Sequence, residues 1–236
     1  MDRGIFIGVG VGPGDPELMT VKAVKTIEEA DVLMLPAGDK ESCRAYNIAA
    51  QACGNIGDKE CLFEPFPMKM DREELMLFHE RVAKRTEAYL ERGRNVIFLT
   101  IGSPSLYSTF DYVEEIVRKD GYMTGRVSGV PSFIAAADRL DISLGREDNP
   151  VHVLPASIAP DEALKLPGTK VFMKTGRRLA ALKEALIRYE QEGGMTAGIS
   201  ECTLPWEEAV YSASEIPDDW GYMNILIADG WVAENK

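Results

Sequence analysis

The 236-residue sequence predicts an α/β protein of two domains, with a parallel sheet in residues 1–129 and a mixed sheet in residues 130–236. Three observations carry that expectation. Short apolar runs alternate with stretches of helical periodicity through the first half, the pattern of crossover connections in a parallel sheet. Three of those runs end in turns rich in glycine and proline, around Gly10, Gly102 and Gly129. Beyond about residue 130 the strand candidates come closer together and the regular alternation stops.

The first strand, Gly4–Val9, is apolar on both sides of its alternation, as for a strand covered on two faces. It runs into Gly10-Val11-Gly12-Pro13-Gly14-Asp15-Pro16, ahead of a helix. A dinucleotide loop does not fit these glycines. Counting G-x-G-x-x-G from Gly8 puts Pro13 at the third glycine, and counting from Gly10 puts Asp15 there. Proline offers no N–H to a phosphate, and the Lys-Ser/Thr of a P-loop is missing. Thr20 caps a helix to Ala30, with Val21, Val24, Ile27 and Ala30 at helical spacing. A second strand, Asp31–Pro36, has no acid at its end to grip a ribose.

A helix over Ser42–Ala52 with Ser42 as its cap, a short strand Cys61–Phe63 and an apolar loop Pro65–Met70 come next. Asp71 and Glu74 resemble a capping box for a helix over Asp71–Arg92, which Gly93 ends. Asn95–Thr100 reads as a buried parallel strand, Ser105–Lys119 as a helix and Met123–Ser128 as a fifth strand. Gly129-Val130-Pro131-Ser132 opens a helix to Leu140, and Asp141–Asn149 is a polar connection. The second half then offers strands at Val151–Leu154, Lys170–Lys174, Thr196–Glu201 and Asn224–Ala228. Its helices are Pro160–Leu164 and Leu179–Glu192.

Lys plus Arg total 26 against 38 Asp plus Glu, a net charge of −12. Such a field repels nucleic acid and anionic membrane, so neither is expected as a partner, and a polyanionic substrate would need a local basic patch. No apolar run is long enough to span a bilayer, and the N-terminus enters a strand without the pattern of a signal peptide. The four cysteines form no C-x-x-C pair and only two histidines accompany them. Reduced thiols in the cytoplasm, with no metal site, are the expectation.

The segment Val9-Gly-Val-Gly-Pro-Gly-Asp-Pro-Glu-Leu-Met-Thr20, with Lys22-Ala23 and Ala30-Asp31-Val32 after it, resembles the opening motif of the tetrapyrrole (corrin/porphyrin) methylases. Gly102-Ser-Pro-Ser-Leu-Tyr107 is similar to their G-D-P-x-x-Y motif, and Gly129-Val-Pro-Ser-Phe133 to their P-G-V/I-S/T-S-F motif. Val171–Arg177 and Ile199–Pro205 fit two later motifs, in order along nearly the whole chain. Within the superfamily, Tyr107–Tyr112 and Phe172–Arg177 most resemble the precorrin-2 C20-methyltransferase branch.

The resemblance implies two α/β domains with a cofactor trough between them, S-adenosylmethionine (SAM) as methyl donor, a tetrapyrrole substrate and a homodimer. It implies that Pro13 lines the trough and that Gly102, Ser103, Pro104 and Tyr107 meet the methionine part of SAM. It implies that Pro131, Ser132, Met173, Ala197 and Gly198 border the adenosine. Arg44, Lys69 and Arg177 are candidates for the substrate's carboxylates, because arginine pairs with them in bidentate fashion. Taken alone, Pro13 and Pro104 also read as turn or helix-start prolines, Met173 as core and Tyr107 as a packing aromatic. Ser103 stands where the family has aspartate, Ser128 where it has proline, and Pro131 where it has a hydroxyl. The implied activity is methylation of C20 of precorrin-2 or cobalt-precorrin-2 in cobalamin synthesis. Another tetrapyrrole or diphthine methyltransferase, or a non-catalytic SAM- or tetrapyrrole-binding protein, is the alternative. No catalytic acid or base is assigned, although Asp111 and Glu201 are the nearest carboxylates within the motifs.

Overall fold

Runs of aliphatic residues too short for helices become strands wherever two helical faces can cover them. The computed structural model, which describes residues 2–67, 71–155, 157–229 and the backbone of 231–232, divides into two units, Met1–Pro131 and Ser132–Lys236. The first contains β1 (Ile5–Gly10), α1 (Val21–Glu28), β2 (Val32–Leu35), α2 (Arg44–Ala52), β3 (Glu60–Phe63), α3 (Arg72–Leu90), β4 (Val96–Thr100), α4 (Phe110–Lys119) and β5 (Met123–Val127). Its strands lie in the order β3-β2-β4-β1-β5, all parallel. One face is closed by α1 and α2 around Ile27, Leu33, Ile48 and Leu99. The other is closed by α3 and α4 around Phe6, Val82, Phe98 and Phe110. From β1 the chain crosses towards one edge, and from β4 towards the other. The carboxyl ends of these two neighbours are therefore where the winding reverses, the place at which open parallel sheets take ligands.

The helix ends follow local chemistry. Thr20 Oγ1 accepts from the Ala23 amide at 3.1 Å, and Asp71 Oδ1 accepts from the amides of Glu73 and Glu74, both at 2.9 Å. Gly93, at φ +73°, ends the α3 segment. Replacing Asp71 by Ala is expected to cost about 1 kcal/mol in urea unfolding, and replacing it by Asn, which keeps the acceptor, far less.

Three expectations need correction, and one falls where the structure gives no description. Ser42 does not cap α2: Cys43 holds that position without a side-chain bond, while the Ser42 amide donates to Asp39 Oδ1 at 2.7 Å. The fourth helix starts at Phe110, not Ser105, because Tyr107 sits at φ +51° and cannot continue a right-handed helix. The connection after Leu140 contains a short strand, and residues 208–210 form another. The proposed substrate residue Lys69 lies outside the described residues.

The second unit contains α5 (Ser132–Leu140), β6 (Ile142–Ser143), β7 (Val151–Pro155), α6 (Pro160–Leu164), β8 (Thr169–Met173), α7 (Leu179–Gln191), β9 (Thr196–Ser200), β10 (Glu208–Val210), β11 (Asn224–Ala228) and β12 (Trp231–Val232). Its sheet runs β10-β9-β11-β8-β7, with β7 and β8 parallel and the other pairs antiparallel, and β12 pairs with β6 separately. The mixed sheet is thus as expected. α6 and α7 bury Leu164, Leu182 and Leu186 against Phe172 and Leu226. No helix among the described residues is long and apolar enough to cross a membrane.

Candidate functional site

The three turns singled out by their glycines meet at the carboxyl ends of β1, β4 and β5. Gly12 and Gly102 exchange backbone hydrogen bonds, the Gly102 amide donating to Gly12 at 2.7 Å and the Gly12 amide to Gly102 at 3.3 Å. Both residues have positive φ, +78° and +70°, which glycine adopts without strain. The Gly102 carbonyl is wedged between two other glycines: a Cβ on Gly10 would lie 2.3 Å from that oxygen, and one on Gly129 2.1 Å from it. Thr20 Oγ1 ties the start of α1 into the same place by donating to the Ser128 carbonyl at 3.2 Å. Side chains are excluded there by contact, so the crest of the sheet presents backbone.

Pro13, Gly102 and Pro104 are buried at this crest, Ser103 and Pro131 are half-buried, and Tyr107 is 39% exposed. The first unit places Pro13, Gly102, Ser103, Pro104 and Tyr107 in the turns that follow β1 and β4. Tyr107 belongs to the turn before α4 rather than to a helix face. Below the turn, Ser108 Oγ accepts from the Phe110 amide at 3.2 Å and donates to Thr100 Oγ1 at 3.3 Å. Phe110 then covers Gly8 of β1, where any Cβ would strike its ring.

Sequence reasoning missed one residue of this neighbourhood. Arg126 of β5 donates to the Pro104 carbonyl at 3.4 Å and pairs with Asp111 at 2.7 Å and with the buried Glu114. A lone cation between Gly125 and Val127 in a strand was the available signal. The pairing also occupies Asp111, one of the two carboxylates considered as a base.

In the second unit, Met173 ends β8 opposite Ile225, and Ala197 of β9 pairs with Ile227. The alternation of the strands puts these two on one face. Ala197 helps line a cavity of about 320 Å³ with Met195, Tyr211 and Ile227. A Cβ on Gly198 would point the opposite way, 2.6 Å from Leu226 and 3.1 Å from Trp220, so only the backbone of this glycine is open to a ligand. Ser132 is the first residue of α5. Arg44, at the start of α2, and Arg177, in the turn before α7, are both exposed.

No group of side chains able to hold a metal occurs among the described residues. Burial pushes the thiols of Cys43 and Cys61 up and that of Cys53 to about 11, so none is a ready thiolate. Burial also lowers the pKa of His79, which stacks on Tyr112 with ring centroids 4.9 Å apart. The crest is built from turns and presents mostly backbone, with the Arg126 cluster beside it.

Known proteins match this architecture. A cobalt-precorrin-2 C(20)-methyltransferase of Salmonella typhimurium is 31% identical, with 97% of this chain and 98% of the relative covered. A precorrin-2 C(20)-methyltransferase of a Sinorhizobium species is 28% identical over 97% and 96% of the two chains. A uroporphyrin-III C-methyl transferase from Thermus thermophilus, solved in complex with S-adenyl homocysteine, shares the fold. Its TM-score is 0.66 at 19% identity, covering 95% of this chain and 97% of that one. Residues 6–216, which include the three turns of the crest and both strands that carry Met173 and Ala197, match the family described as Tetrapyrrole (Corrin/Porphyrin) Methylases. The chain belongs to that family.

Proposed function

We propose that this protein methylates C20 of precorrin-2 or of cobalt-precorrin-2, with SAM as donor, in cobalamin synthesis. The observation that carries the reading is the end-to-end match to the Salmonella methyltransferase, 31% identical with 98% of its length covered. The crest fits the cofactor chemically. SAM carries no phosphate, and the crest offers backbone and prolines rather than a phosphate cradle. The chemistry that the cofactor supplies when bound is a methyl group on a sulfonium centre, open to in-line displacement by a carbon nucleophile.

The reading assigns Pro13 to the lining of the cofactor trough, Gly102, Ser103, Pro104 and Tyr107 to the methionine part of SAM, and Pro131, Ser132, Met173, Ala197 and Gly198 to the adenosine. Their task is to align and to exclude water, which lowers the barrier of a displacement without acid–base groups. Arg44 and Arg177 are assigned to substrate carboxylates. Asp111 is paired with Arg126, and no residue is assigned to take the departing C20 proton. The reading includes a homodimer in the cytoplasm.

Incubation with methyl-labelled SAM and either tetrapyrrole tests the assignment. Label on C20 of one substrate supports it and identifies the metal state. Absence of label on both, with SAM intact, sinks it.

A further inference from the structure

We propose that Arg126 is a positioning residue that holds the turn over 102–107 in its ligand-binding shape, through the Pro104 carbonyl. The inference rests on the reading above that this turn meets SAM. Contacts at its start, middle and end bear on the shape of the turn. At its start, Gly102 is locked by its exchange of bonds with Gly12 and by the close approach of Gly10 and Gly129. At its end, Ser108 is tied to Thr100 and to the Phe110 amide. Between these lies Pro104, whose carbonyl accepts from Arg126 Nη1 at 3.4 Å.

The other amino group of the same guanidinium is fixed from behind. Nη2 stands 2.7 Å from Asp111 Oδ1 and also pairs with Glu114 Oε2, whose partner oxygen accepts from Thr124 Oγ1 at 3.0 Å. The guanidinium lies 5.5 Å from the centre of the Phe110 ring. Glu114 is 4% exposed and Asp111 is in the first turn of α4, so both anchors belong to a helix already packed on the sheet. One nitrogen faces the anchors and another faces the turn, an arrangement that needs a rigid fork and that a lysine cannot reproduce. Within the turn Leu106 also donates to the Ser103 carbonyl at 3.3 Å, a bond that ties the turn to itself and not to the sheet.

Removing Arg126 alone would strand the buried Glu114, so two variants separate clamp from charge balance. Arg126→Lys keeps a cation for Glu114, and Arg126→Gln/Glu114→Gln removes the stranded charge together with the clamp. Amide exchange over 103–107 in the free protein is expected to accelerate about tenfold or more in both variants, with the core of β1 and β4 unchanged. The KM for SAM is expected to rise about tenfold, the usual weight of a hydrogen bond to a charged group, while kcat at saturating SAM stays within about twofold. Wild-type exchange over 103–107 in both variants overturns the proposal, as does a fall in kcat with an unchanged KM. Exchange needs no ligand and decides the clamp by itself. Failure of the wild-type protein to bind S-adenosylhomocysteine in calorimetry would instead sink the SAM reading.

Discussion

Replacing Asp229 by Asn is expected to remove about 3–5 kcal/mol of stability at pH 7, the usual cost of stranding a buried charge. The charge in question is Lys170. It is 2% exposed in the centre of the second unit, and its ammonium pairs with Asp229 at 2.7 Å and with the Tyr189 hydroxyl at 3.3 Å. Asp229 sits at φ +59°, a conformation that Asn tolerates about as well as Asp, so the backbone is not the cause of the loss. The reverse change, Lys170→Met, should cost less, about 1–2 kcal/mol. It leaves behind a carboxylate that is 31% exposed and still bonded to Tyr189, so water can reach it. Combining the two substitutions should recover much of the Asp229→Asn loss, because nothing charged is then left buried.

The pH dependence has a definite sign. Burial pushes the Asp229 carboxyl up, but the Lys170 ammonium and the Tyr189 hydroxyl outweigh it and hold the group below 3.8. Its contribution is then fully present above 3.8 and is lost as the pH falls through the lower value of the folded protein. The gap between wild type and Asp229→Asn should therefore be widest near neutrality and narrow below pH 3.8 in guanidinium titrations. A gap that widens in acid would contradict the ion pair as its source.

Features set by neighbours in the chain were legible in the sequence. Asp71 caps α3 through amides two and three residues away, and Thr20 caps α1 in the same way, so each can be found without knowing the tertiary structure. The start of α4 was not legible. By type, Ser105, Leu106 and Tyr107 are compatible with a helix, but the turn is shaped by pairing of Gly102 with Gly12, ninety positions earlier in the chain. β10 and β6 were invisible for a related reason: Glu208–Val210 is only three residues long, and becomes a strand because β9 offers it an edge.

At the site, the three turns could be read from their breakers, whereas their meeting could not. It depends on β1 lying between β4 and β5. Arg126 escaped notice because its partners come from the β4 turn and α4.

Replacing Gly129 by Ala is expected to cost about 3 kcal/mol, at the upper end of ordinary overpacking, and to weaken S-adenosylhomocysteine binding by tenfold or more. The reason is contact rather than conformation. Gly129 does not have positive φ, so alanine could adopt its backbone. Its Cβ, however, would lie 2.1 Å from the Gly102 carbonyl oxygen and 2.8 Å from the carbonyl carbon and oxygen of Gly10. All three obstacles are backbone at the ends of buried strands, so none can swing aside as a side chain would. Relief requires separating the β4 and β5 turns, which moves Gly102, Ser103 and Pro104 together.

Gly125 of the same strand supplies the control. A Cβ there would meet only the Ile7 side chain, at 3.8 Å, so Gly125→Ala should leave stability within about 0.5 kcal/mol of wild type. Equal losses from the two substitutions would mean that β5 as a whole resists side chains. A loss confined to Gly129, accompanied by weaker binding, would locate the cost in the crest where the three turns meet.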